Sequence, residues 1–306
     1  MIYTITFNAA VDLVIQATDC KLGELNRSTS ENYVAGGKGI NISVILQRLG
    51  YDNIATGFLG GFTGEYIKSE LAKDNIQTNF IEVMGTTRIN VKLKSQEETE
   101  INAAGPTISE EEFCQLFQYL SSRIQKDDVV FLAGNAAPGL SAKHYVAIAQ
   151  MCQEQQAKLV LDTNKSLLKE CLVHGPFIIK PNHHELGELF DVVISDEEEI
   201  IHYAQKLQDM GAKNILVSRG GAGALLLTEK GEVYRSNVPK GQVVNSVGAG
   251  DSMLAGFMAS YITTNDYSVS LQRGAATGSA TAFSVGIATK EYIEELLPQI
   301  IVEKVK

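Results

Sequence analysis

From about residue 109 to residue 218 the chain alternates short apolar runs of strand length with longer amphipathic runs of helix length. Few folds accept such an alternation. Each strand feeds a crossover helix, so neighbouring strands run parallel and both faces of the sheet are covered. The expected strands are 128–132, 158–162, 177–180 and 214–218. The expected helices are 109–124, 141–156 and the stretch from Ser195 to Met210, stopped by Gly211. Ser109 with Glu112 has capping-box spacing, and Ser195 with Glu198 has the same spacing. Hairpin-like strands at 224–228 and 232–238 follow, and helical stretches at 249–263, 267–284 and 289–303 close the chain. With 306 residues, 44% hydrophobic and 20% charged, one large α/β domain is expected.

The first hundred residues keep this rhythm only in part. Residues 2–7 alternate like a strand, Gly36-Gly37-Lys38-Gly39-Ile40-Asn41 turns into a helix over 42–50, 55–59 is a buried strand, and 63–74 is an amphipathic helix. Two stretches, 13–35 and 86–104, lack helical period. In the second, Arg88, Asn90, Lys92 and Lys94 alternate with Ile89, Val91 and Leu93, the pattern of a half-buried strand. Together they predict a small sheet projecting from the main body, whose edge calls for a partner or protection.

A formal net charge of −10 argues against a nucleic-acid partner. The four cysteines show no C-x-x-C spacing and no disulfide framework, which fits reduced thiols in the cytoplasm. The N-terminal Met1–Phe7 has no basic n-region, and no apolar run reaches membrane-spanning length. A cytoplasmic protein with no membrane partner is expected.

The unusual polar and glycine residues fall at strand ends, where ligands bind in parallel sheets. In Asn245-Ser246-Val247-Gly248-Ala249-Gly250-Asp251-Ser252, two glycines precede a helix rich in small residues. Their backbone N–H groups and the helix dipole favour an anion. Asp251 in that turn either caps the helix or orients and deprotonates an attacking hydroxyl, and as a carboxylate among amides it is expected to stay ionised at neutral pH. There is no Walker loop, no G-x-G-x-x-G after the first strand and no G-x-S-x-G elbow. Lys180, held by Pro181 after a strand, is a candidate cation. Asn182 and Glu185 suit either a helix cap or oxygen ligation of a hydrated Mg²⁺. His183 and His184 read as surface histidines.

GGKGIN at 36–41 and NSVGAGDSMLAGF at 245–257 resemble the two signatures of the phosphofructokinase B group of ribokinase-like sugar kinases. Ile179-Lys180-Pro181-Asn182 with Glu185, Ser218-x-Gly220-x-x-Gly223 and Thr87-Arg88-x-Asn90 add to the match, which covers essentially the whole chain. The resemblance implies a three-layer α/β/α fold with a mostly parallel sheet and a small β-sheet lid, 13–35 with 86–104, on a single kinase domain spanning 1–306. It implies Asp251 as the base and Gly248, Ala249 and Gly250 as an anion hole. Lys180, Asn182, Ser218, Arg219, Gly220, Gly221, Ala222 and Gly223 would bind ATP, and Asn182 and Glu185 would act on Mg²⁺ through water. Asp12, Gly36, Gly37 and Asn41 would hold sugar hydroxyls. Lys38 and Arg88 would meet a substrate phosphate, with Arg27 and Asn102 on the same side. The implied reaction is ATP-dependent phosphorylation of fructose 1-phosphate at O6, in a homodimer formed through the lid. Phosphorylation of tagatose 6-phosphate at O1 is the alternative, and an inactive sugar-phosphate-binding protein the alternative of a different class.

Overall fold

The computed structural model describes residues 1–306. In chain order it begins with β1 (Ile2–Thr6), β2 (Ala10–Gln16), β3 (Ser30–Gly36), α1 (Lys38–Arg48), β4 (Ile54–Leu59), α2 (Gly61–Lys73), β5 (Gln77–Glu82), β6 (Arg88–Lys94) and β7 (Glu98–Ile101). It continues with α3 (Glu110–Arg123), β8 (Val129–Ala133), α4 (Ala142–Glu154), β9 (Lys158–Asp162), α5 (Lys165–Cys171), β10 (Ile178–Ile179), α6 (His183–Leu189), α7 (Glu197–Asp209) and β11 (Asn214–Ser218). It closes with β12 (Ala224–Leu227), β13 (Val233–Ser236), α8 (Ala249–Thr264), α9 (Tyr267–Ala282), α10 (Lys290–Leu296) and β14 (Val302–Lys304).

The main sheet has the order β14-β13-β12-β11-β10-β9-β8-β1-β4-β5. Every pair from β5 to β11 is parallel, and β11 to β14 form an antiparallel flank. Buried strands of this kind feed two cores by alternation. In β8, Val130 and Leu132 enter the core beneath α3, α4 and α7, while Val129, Phe131 and Ala133 enter the one beneath α1, α8 and α9. Helices on both faces make the three layers expected from the sequence.

Close packing of α8 on α9 follows from their glycines. A Cβ at Gly256 would collide with Thr277, and one at Gly274 would come 2.8 Å from the Met253 carbonyl. Ser109 and Glu112 form the expected reciprocal cap of α3.

A second sheet, β3-β2-β6-β7, stands apart from the first. Val11, Ile40, Leu59, Ile67 and Leu71 form a small core of their own that ties it to α1, α2 and β4. Its register sets Asp12 opposite Asn90 on β6 and Val34 on β3.

Several local expectations differ from the structure. Residues 17–29 form no strand, so the 13–35 stretch is two strand segments joined by an exposed loop. β5 and α5 are additional elements; Gln77–Glu82 is a polar edge strand and α5 spans only seven residues, so neither has a clear period. The C-terminal 289–303 stretch breaks at the 3₁₀ turn containing Pro298 and ends in β14. The cap of α7 lies one residue later than expected. Asp196 accepts from the Glu199 amide at 2.9 Å, while Glu199 takes both the Ser195 amide and hydroxyl.

Candidate active site

The carboxyl ends of β1, β8, β10 and β11 open onto one cavity of about 720 Å³. It runs from Asp12, Arg88 and Asn90 on the second sheet, past Lys38, Asn41 and Asp251, to Asn182, Ser218 and Phe283 beyond β10.

At its centre lies the start of α8. Gly248 occupies the left-handed region (φ 79°, ψ −5°), which costs glycine nothing and swings the chain into the helix. The Ala249 amide turns back to Ser246 O at 3.2 Å, while the amides of Gly250 and Asp251 have no acceptor within the chain. Two free N–H groups at a helix N-terminus are donors in need of an anion. Lys180 Nζ lies beside this turn: a Cβ on Gly250 would be 2.9 Å from it. Asp251 is buried and its Oδ2 accepts from Asn41 Nδ2 at 2.9 Å. Burial raises its pKa above the ordinary aspartate value, with Asp162 adding and Lys38 opposing. Desolvation thus works against the ionisation expected from the amide turn.

The structure adds a residue that was not expected at the site, Asp162 at the end of β9. Its Oδ2 lies 3.1 Å from Lys38 Nζ and 3.7 Å from Lys180 Nζ. Burial works to raise the Asp162 pKa, and the two ammonium groups outweigh it and hold the carboxyl below its ordinary value. The Lys38 ammonium is held above its ordinary pKa by Asp162 and Asp251 against the opposing effect of burial. A carboxylate ending a buried parallel strand, before the strand that leads to Lys180, is the sequence signal that could have found it.

Toward the second sheet, Asn90 Nδ2 donates to Asp12 Oδ1 at 2.9 Å. Gly36 lies behind this carboxylate rather than in the cavity wall, and a Cβ there would be 2.8 Å from Asp12 Oδ2. Arg88 donates to the carbonyls of Asn8 (3.0 Å) and Ala103 (3.1 Å), and its Nε is buried with no partner. Gly37, Lys38 and Asn41 line the same wall. Arg27 and Asn102 are exposed and lie outside the cavity lining.

Toward β11, Asn182 and Glu185 form a reciprocal cap of α6: the Glu185 amide donates to Asn182 Oδ1 at 2.8 Å, and the Asn182 amide to Glu185 Oε2 at 2.7 Å. Both still line the cavity, as do Ser218, Gly220, Gly221 and Gly223. His183 and His184, with ring centroids 3.8 Å apart, form part of the wall rather than plain outer surface. Arg219 and Ala222 are absent from the lining. The Arg219 guanidinium instead donates to Ala222 O at 2.7 Å and Glu197 Oε2 at 2.8 Å, clamping the loop from behind.

A buried carboxylate at a helix start with free amides, flanked by lysines in a crevice of a parallel sheet, is the apparatus of a phosphotransferase. The pfkB family carbohydrate kinase profile matches residues 5–292, and the chain belongs to that family. Its relatives narrow the group. A 1-phosphofructokinase from Bacillus subtilis (strain 168) is 47% identical over 304 residues, 99% of this chain and 100% of that one. A D-tagatose-1-phosphate kinase from Bacillus licheniformis is 39% identical over 301 residues, 98% of each chain. The crystal structure of phosphofructokinase-2 from Escherichia coli in complex with substrates and products superposes with a TM-score of 0.90 at 25% identity, covering 97% of this chain and 98% of that one.

Proposed function

We propose that the protein transfers the γ-phosphoryl group of ATP to O6 of fructose 1-phosphate, giving fructose 1,6-bisphosphate and ADP. The observation that carries this reading is the placing of buried Asp251 between two cationic ends: Lys180 beside the glycine turn on one side, Arg88 beside Asp12 on the other. The first end suits the transferring phosphoryl group and the second suits the acceptor's own phosphate. The 47% identity to a 1-phosphofructokinase supports the choice of acceptor.

Asp251 orients the O6 hydroxyl toward the γ-phosphorus. As the O6–P bond forms and the bond from phosphorus to the bridging β–γ oxygen breaks, the O6 proton passes to the Asp251 carboxylate and the electron pair leaves with ADP. The Gly250 and Asp251 amides and Lys180 stabilise charge on the phosphoryl oxygens. Asp12 and Asn41 hold sugar hydroxyls. The loop from Ser218 to Gly223 borders the nucleotide, with Arg219 bracing it.

The residues present fit Mg²⁺ as a largely hydrated ion. No three His, Cys, Asp or Glu side chains converge on one point, and Glu185 uses only Oε2 in its cap, which leaves Oε1 for a water of the ion. Bound with the nucleotide, Mg²⁺ would neutralise phosphate charge. Glu185, with Asn182 beside it, would hold it through water.

The second sheet serves as a lid over the sugar and as the contact between two copies of the chain. Exposed Tyr33, Val34 and Ile101 on its strands, with Leu22 and Leu25 in the adjoining loop, support that assembly.

Measuring kcat/KM for fructose 1-phosphate, tagatose 1-phosphate, tagatose 6-phosphate and fructose 6-phosphate tests the assignment. Fructose 1-phosphate is expected to lead. The tagatose 1-phosphate arm answers the 39% identical relative, whose acceptor also carries its phosphate at C1. A tenfold preference for tagatose 6-phosphate, or no transfer to any of the four, overturns the reading.

A further inference from the structure

We propose that Asp162 is a positioning residue for phosphoryl transfer: one buried carboxylate that holds the ammonium groups of Lys38 and Lys180 together beside the glycine turn. The inference rests on the kinase reading above and adds to it a residue that holds the two cations in register.

The two lysines come from distant parts of the chain. Lys38 opens α1, directly after the second sheet, and Lys180 follows β10 of the main sheet. Their one shared partner is Asp162 Oδ2, at 3.1 and 3.7 Å. Asp162 and Lys180 are only 4% and 6% exposed, so these charges are barely screened by solvent. Asp162 Oδ2 has no further hydrogen-bond partner that would fix it otherwise.

The arrangement is poor as a device for stability. Lys38 stands at the first position of a helix, where the dipole opposes a positive charge. Burying ions is costly even when they are paired. What the arrangement achieves is alignment. Asp162 belongs to the rigid sheet, flanked by β8 and β10, and its backbone carbonyl accepts from the Gly134 amide at 2.9 Å. Like charges from two segments are thereby kept together before a phosphate arrives to hold them. Lys180 is set against Gly250, and Lys38 is set where it feels both Asp162 and Asp251. Without the carboxylate, the ammonium groups repel and swing apart, and the incoming phosphoryl group must gather them itself.

The test is steady-state kinetics on Asp162→Asn, Lys38→Met and the double variant, each first shown to be folded by near-UV circular dichroism. The assay uses whichever ketohexose phosphate the native protein turns over fastest, so a wrong acceptor assignment leaves it intact. Asp162→Asn is expected to lose ten- to a hundred-fold in kcat. Combined with Lys38→Met, the loss is expected to fall well short of the product of the two single losses, because one arrangement is broken twice. A folded Asp162→Asn protein with native kcat and only a lower Tm overturns the proposal, and so do losses that multiply. If Asp162→Asn does not fold, Asp162→Glu decides: it keeps the charge but moves it by one methylene. A lowered kcat at native Tm then supports positioning, and native kcat overturns it.

Discussion

Asp251→Asn keeps the size of the side chain and caps a helix about as well as aspartate. If the carboxylate takes the O6 proton, kcat falls by roughly 10²–10⁴-fold while Tm and ATP binding stay near native. A folded variant within a few-fold of native turnover would remove Asp251 from the chemistry. Its burial adds a pH signature. The reaction needs the ionised form, so kcat/KM, which reports the free enzyme, declines as pH falls through the Asp251 pKa, and desolvation sets that pKa above the ordinary value of about 3.9. An acid limb centred at or below 3.9 would contradict the structure. At the other end of the cavity, Arg88→Ala removes a charge-assisted contact of about 1.5–3 kcal/mol. KM for the sugar phosphate is expected to rise on the order of ten- to a hundred-fold, with KM for ATP little changed. A shift confined to ATP would place Arg88 on the wrong side.

The helix that delivers Asp251 depends on its neighbour. α8 can start at the glycine turn only because α9 approaches it without side chains between them at Gly256, Gly274 and Gly278. Gly256→Val forces Thr277 away and overpacks this contact, at a cost of about 1–3 kcal/mol. Thermal unfolding should show a clear drop in Tm, with KM for both substrates near native at low temperature. An unchanged Tm would mean the helices are looser than described. Sequence patterns served well at this scale where a period was long and buried, as in β8, α4 and α8. They served poorly at β5, a polar edge strand, and at α5 and β14, which are too short to show a clear period.

For the whole molecule, the proposed assembly places the second sheet between two copies of the chain. Its attachment to the body is a small core, and its exposed strands carry Tyr33, Val34 and Ile101. Sedimentation at micromolar concentration is expected to give twice the mass of the chain, and Val34→Lys with Ile101→Lys should shift it to the monomer. A native protein that is monomeric and fully active would separate activity from assembly.

The fold class and most of the residues lining the candidate site were legible in the sequence. Alternating periods dictate a parallel sheet, a parallel sheet gathers its strand ends, and glycines before a helix mark an anion site by local backbone geometry alone. Lys180, Asn182, Gly250 and Asp251 fall where that reasoning put them. Position along the chain could not reveal which charges meet. Asp162 draws Lys38 toward Lys180 across more than a hundred residues. Arg219 turns out of the cavity because Glu197 waits behind it. The raised pKa of Asp251 likewise comes from its burial beneath other elements, which outweighs the nearby lysines. Backbone preference and hydrophobic period are local properties written residue by residue, whereas burial and charge pairing depend on what the completed fold brings within a few ångströms.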